Sequence, residues 1–191
     1  MISCPEGVIA GELFTKEKRQ ELYGTIAGGS GSRKPEDYQR SMIVAGTQQP
    51  CPQTHTRINW RKHEIVEIIH PMKHNDGFDY TENFDGQQIF GSKKIWYNLK
   101  SVVGSGGSQT RTLRDECYKF VQAQLDYILK TKTYTQYFVN IFDGDEAAKQ
   151  MNKFNQYLLC LPEYASIVKY VYVGDLRNYF DWLTSVVDEE Q

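Results

Sequence analysis

No two of the four cysteines (Cys4, Cys51, Cys117, Cys160) stand in a C-x-x-C pair. That removes the spacing used by zinc ribbons and dithiol redox centres. Scattered thiols of this kind suit a reducing, intracellular setting. Long apolar runs are absent as well: none approaches the ~18 residues of a membrane span. The opening MISCPEGVIAGELF lacks the basic flank and extended apolar centre of a secretory signal. Excess charge of one sign is also missing, since 22 Lys and Arg face 24 Asp and Glu for a net charge of −2. No global basic field therefore marks a nucleic-acid binder, although a local basic face is compatible with a neutral total. These absences point to a soluble, cytoplasmic protein.

What is present is enough for a packed core: 191 residues, 40% hydrophobic and 13% aromatic, the size of one domain. Residues 1–56 read as an amino-terminal arm or partial subdomain. AGGSGSRKPEDYQR and GTQQPCPQTHT are loop-like breaks, with one short helix starting at Thr15 before them. The core is expected over 57–191. NWRKHEIVEIIHPMK places Trp60, Ile65, Ile68 and Ile69 at helical spacing, with Asn59 as cap and Pro71 as stop. QQIFGSKKIWYNLKSVV reads as two strands turning at Gly91-Ser92. TLRDECYKFVQAQLDYILKT is the clearest helix. QYFVNIF and VKYVYVGDL read as buried strands, each followed by a helix. The order α-β-β-α-β-α-β-α predicts an α/β fold, a mixed central sheet flanked by helices.

Asp85 opens the first strand of the hairpin, and Lys100 lies fifteen residues on, in the second. In the right register the turn returns Lys100 towards Asp85. A carboxylate and an ammonium at one sheet end can share a divalent metal, a phosphate and an attacking water. The same spacing also describes an ordinary surface ion pair. Asn98 projects on the same face as Lys100 and offers a neutral amide oxygen, a weaker magnesium ligand than a carboxylate. Glu64, Glu67 and Glu82 are candidates to supplement it, with Glu64 read as solvated.

GSGGSQTR lacks the lysine of a phosphate-binding P-loop and the spacing of a hydrolase elbow. Gln109 and Arg111 are side-chain types that read base edges; an ordinary capping loop is the plainer account. The three acids of FDGDE do not follow Ca²⁺-loop spacing and suit a helix start. His55, His63, His70 and His74 form no helical metal pair, because Pro71 parts the last two.

FDYTENFDG, KIWYNLKSVVGSGGSQTRTLRDECYKFVQAQL, YFVNIFDGDE and VYVGDLRNYFDWL together resemble a group of type II restriction endonucleases of the PD-(D/E)xK nuclease superfamily, over roughly residues 57–191. The resemblance implies a restriction-endonuclease-like fold and a Mg²⁺-dependent enzyme cutting double-stranded DNA at a short site. It also implies a homodimer and a cognate DNA methyltransferase in the same restriction-modification system. Carried over by position, Asp85 is the motif aspartate and Asn98-Leu99-Lys100 the (D/E)xK step, with Asn98 replacing the usual acid. The metal would then lie among Asp85, Asn98, the Leu99 carbonyl and Glu67 or Glu82, with Gln109, Arg111 and Arg114 on DNA. The asparagine at 98 keeps an alternative open: a catalytically inactive DNA-binding or interaction relative of the same fold. A phosphotransferase using GSGGSQT is a third, weakened by the missing lysine.

Overall fold

A computed structural model describes residues 1–24, 34–70, 79–104 and 108–189. The predicted stop Pro71, His74 and the loop centre at 105–107 lie outside these residues, as does most of the glycine-serine break before Lys34. Near the amino terminus, Thr15 Oγ1 accepts the Lys18 N–H and caps α1 (Lys16–Tyr23), the helix read from the sequence. The next element was not foreseen. Lys34–Thr47 forms a 14-residue helix, α2, where the sequence suggests a break around a short SMIVAG run. Its Ile43 is fully buried.

The expected helix after residue 57 is instead a ribbon. β1 (Thr56–Asn59) pairs antiparallel with β2 (Glu64–Glu67). Asn59 Oδ1 accepts the N–H groups of Arg61 and Lys62 at 3.1 and 2.9 Å. The predicted helix cap thus serves a turn, which closes through His63 at φ 54°. Ile58, Ile65, Val66, Ile68 and Ile69 are β-branched, and that stiffness outweighs the helical spacing once a turn is supplied.

β3 (Gly86–Phe90) and β4 (Lys93–Ser101) make the predicted hairpin. A continuous helical stretch follows: α3 (Ser108–Thr112), a π turn over Leu113–Cys117, and α4 (Tyr118–Thr131). β5 (Gln136–Asp143), α5 (Asp145–Phe154), β6 (Val171–Gly174) and α6 (Leu176–Asp188) complete the chain. The sheet runs β3-β4-β5-β6, antiparallel at its first pair and parallel at the next two. It is a mixed sheet with helices on both faces.

Alternation along β4 divides the core. Ile95, Tyr97 and Leu99 pack with Ile43 of α2 and Tyr179, Phe180 and Leu183 of α6. Trp96 packs on the other face with Phe84, Phe120 and Phe138. Each large side chain taken out of water contributes about 1.5–3 kcal/mol, so both faces anchor β4. The carboxyl end of β4 is thereby held between α2 and the π turn.

Candidate functional site

The Asp85 backbone continues the hairpin one step beyond β3, its N–H donating to Tyr97 O at 2.7 Å. From there Oδ2 accepts the Leu99 N–H at 2.8 Å, which fixes the carboxylate at the rim beside β4. Arg40 of α2 holds the same corner, donating to Cys51 O at 2.7 Å and Asp85 O at 2.6 Å. Lys100, next along β4, places Nζ 3.6 Å from Glu82 Oε2. Its backbone oxygen accepts from Gln39 Nε2 at 2.8 Å. The structure thus brings Asp85, Lys100 and Glu82 together.

A residue not foreseen completes the cluster. Glu36, in the first turn of α2, is partly buried beside Asp85 and Lys100. Burial first, then the Asp85 charge, push its carboxyl up to about 7. Burial also raises Asp85, opposed by the Leu99 N–H and the Lys100 charge. Burial works against charge on Lys100, but its acidic neighbours, Glu82 foremost, outweigh it and lift its pKa. Glu36 escaped the sequence reading because its helix did. The only signal was its place at the head of KPEDYQRSMIVAG, where acids suit a helix amino terminus.

Asn98 is turned elsewhere. It is 1% exposed, and its Nδ2 donates to Asn140 Oδ1 at 3.1 Å. Asn140 is in turn paired with Gln124 of α4 through bonds of 3.0 and 2.7 Å. The Asn98 side chain also bonds the Cys117 thiol, whose burial pushes it up to about 12. This amide belongs to a buried polar network that ties β4 to β5 and α4, rather than to the carboxylates at the rim. Glu67 is exposed on β2 and shares a second cleft with Glu64, Lys94 and Gln136, towards the start of β4; the charges acting on Asp85 come from Lys100, Glu82 and Arg40. Glu64 is exposed, consistent with a solvated side chain.

Gln109 and Arg111 are exposed on α3, in a helix rather than a loop. Arg114 is exposed on the π turn, its Nε 3.0 Å from Asp115 Oδ1, so much of its charge is cancelled. The acids of FDGDE are engaged in structure. Asp143 accepts from Gln39 and the Leu176 N–H, and Asp145 from the Gly104 N–H.

Among the described residues no three His, Cys, Asp or Glu side chains are grouped closely enough to hold a metal by themselves. Glu36 and Asp85 nonetheless make a fitting donor pair for Mg²⁺, which takes one or two carboxylates and completes its shell with water and phosphate. Two partly buried carboxyls, each held towards its neutral form, are what a hard cation would relieve. The Leu99 carbonyl is directed to the same edge as its N–H by strand geometry. Asn98 does not fit this set.

Compared with known proteins, the chain matches no family model, no curated protein and no solved structure.

Proposed function

We propose that the chain is a site-specific, Mg²⁺-dependent double-strand DNA endonuclease of the type II restriction class, built on a PD-(D/E)xK-like plan. One observation carries the reading: Asp85, seated on the Leu99 N–H, lies within reach of the charge of Lys100, and Glu36 of α2 feels the charges of both. Glu36 and Asp85 would hold Mg²⁺, with the Leu99 carbonyl on the same strand edge and Glu82 paired with Lys100. When bound, the ion supplies Lewis-acid stabilisation of the charge that grows on the phosphate. Lys100, kept cationic by its acidic neighbours, orients the attacking water and steadies that charge. Water adds to phosphorus in line as the bond to the 3′ oxygen breaks, leaving a 5′ phosphate and a 3′ hydroxyl. Arg111 and Gln109, exposed on α3 after β4, would meet DNA on this reading. A cognate methyltransferase would protect the host's own sites.

The test is incubation with unmodified plasmid, with and without Mg²⁺. Discrete fragments that require Mg²⁺ and vanish in Lys100→Ala support the reading. Plasmid left intact at every protein concentration overturns it. The position of Asn98, sealed in a neutral network, favours one alternative: an inactive DNA-binding relative. That alternative predicts salt-dependent DNA binding, unaffected by Mg²⁺, with no cleavage.

A further inference from the structure

The β1–β2 ribbon has no part in the reaction proposed above, yet its turn concentrates positive charge. Arg61-Lys62-His63 is the only run of three consecutive Lys, Arg or His residues in the chain. It falls at the tip of the ribbon, between the paired residues Asn59 and Glu64. The tip stands on a fixed base. Ile58 is fully buried, in the core cluster against which Ile65 packs. The Thr81 N–H donates to Ile58 O and the Trp60 N–H to Asp79 O, both at 2.9 Å. The Asn59 side chain then takes the N–H groups of Arg61 and Lys62. Backbone held in this way presents its side chains more sharply than a loose loop does. Arg61 keeps 67% of its side chain exposed, 3.0 Å from Asp79 and within cation–π range of Trp60, 5.2 Å from the ring centroid. Lys62 is exposed, and among the described residues it has no ion-pair partner. His63 is half-buried, with Nδ1 shut away from water. Two cations therefore carry the tip, and Lys62 is the one that no described carboxylate offsets.

Position selects the partner. Trp60, beside the two cations, lines a cleft of about 580 Å³ that Glu82 also lines, and Glu82 lies 3.6 Å from Lys100. One cleft thus separates the tip from the proposed reaction rim. Glu82, Glu116 and Asp126 within its lining keep a phosphate out of the cleft itself, whereas Arg61 and Lys62 stand outside that lining. With a net charge of −2 over the chain, only such local groups can attract a polyanion. We propose that the ribbon tip is a second DNA contact, at which Lys62 and Arg61 grip backbone phosphates next to the stretch that meets the rim. Phosphate contacts fix position and orientation and carry no sequence information, so the tip holds any duplex alike. This rests on the nuclease reading for its partner.

The experiment measures binding of two duplexes of unrelated sequence by fluorescence anisotropy, without Mg²⁺ and across a salt series. Lys62→Ala should lower the salt slope by about one, to the same extent on both duplexes, and Lys62→Arg should keep the slope of the unmodified protein. Asp79→Asn, which frees Arg61 from its ion pair, should tighten binding to both. Circular dichroism reports the fold of each variant. A slope left unchanged by Lys62→Ala and by Arg61→Ala with Lys62→Ala together overturns the proposal, as does the absence of duplex binding at low salt. Plasmid cleavage is scored on the same preparations. Cleavage with an unchanged slope sinks the tip and leaves the nuclease reading standing; a lowered slope without cleavage upholds the tip and sinks the nuclease reading.

Discussion

Glu36 gives the site its pH dependence. Its folded pKa of about 7 lies above the ordinary 4.5, so the proton is held more tightly in the folded chain than in the unfolded one. Stability from this group is therefore complete below the unfolded value and is lost as pH rises through about 7. Asp143, raised by burial to about 6 from 3.8, acts in the same direction. In Mg²⁺-free buffer the melting temperature should fall as pH climbs from about 5 to 7, and Glu36→Gln should flatten the upper part of that slope. Mg²⁺ competes with the same proton, so its affinity, read by calorimetry, should rise over the same interval in the unmodified protein. A pH-independent affinity would remove Glu36 from the ligand set. Asn98 supplies a second test at this scale. Asn98→Asp would set a carboxylate against Asn140 Oδ1, where a donor now sits at 3.1 Å. The expected cost is roughly 1–3 kcal/mol from an unsatisfied buried contact, seen as a lower denaturation midpoint in urea. Unchanged stability would mean that the network tolerates an acid and that position 98 remains open to metal chemistry.

α2 is the element on which the site depends most, because it delivers Glu36, Gln39 and Arg40 together. Ile43→Ala, one turn beyond Arg40, should cost roughly 2–5 kcal/mol as a core truncation. Cleavage should also weaken at temperatures where the fold persists, measured as single-turnover rate beside the melting curve. A normal rate with a lowered melting temperature would show that α2 anchoring and Glu36 placement are separable. Gly144 is a sharper constraint, between β5 and α5. Its φ is 111°, and a Cβ there would lie 1.9 Å from Val102 O, so Gly144→Ala should prevent soluble expression or lower the melting temperature severely. The hairpin carrying Asp85 and Lys100 was legible because Gly91-Ser92 sits between two alternating runs, and period two leaves little choice of register. The helix through Phe120 and Leu125 was legible from its apolar stripe. α2 was not, because its apolar content is short and a glycine-serine tract precedes it; tertiary burial of Ile43 supplies what local pattern lacks. Asn59 misled in the other direction, since the same side chain caps helices and closes turns. For the site, spacing could show that Asp85 and Lys100 meet. It could not show that Asn98 is claimed by Asn140 and Gln124, or that Glu36 arrives from an element 49 residues before Asp85; both depend on long-range packing.

At the scale of the whole molecule, the proposed function requires that a net charge of −2 and an acidic rim accommodate a polyanion. Exposed Arg111 offers local positive charge, and Lys153 of α5 adds more where its Nζ donates to Arg114 O at 3.0 Å, whereas Arg114 itself is offset by Asp115. Removing Arg111 should therefore reduce the salt slope of DNA binding by about one, and removing Arg114 by less. Each chain presents one Asp85–Lys100 rim, and the strands of a duplex run antiparallel. If the proposed nuclease reading holds, one rim would cut one strand in one polarity. Cutting both strands of a symmetric site in a single encounter requires two copies related by a two-fold axis that coincides with that of the DNA. The expected outcome is conversion of supercoiled plasmid straight to linear product, with a protein mass by light scattering of twice the 22.1 kDa chain on a cognate duplex. Nicked circles that accumulate first, with a protein mass matching one chain on the DNA, would instead describe a monomer that visits each strand in turn, and the palindromic reading would fall with the dimer.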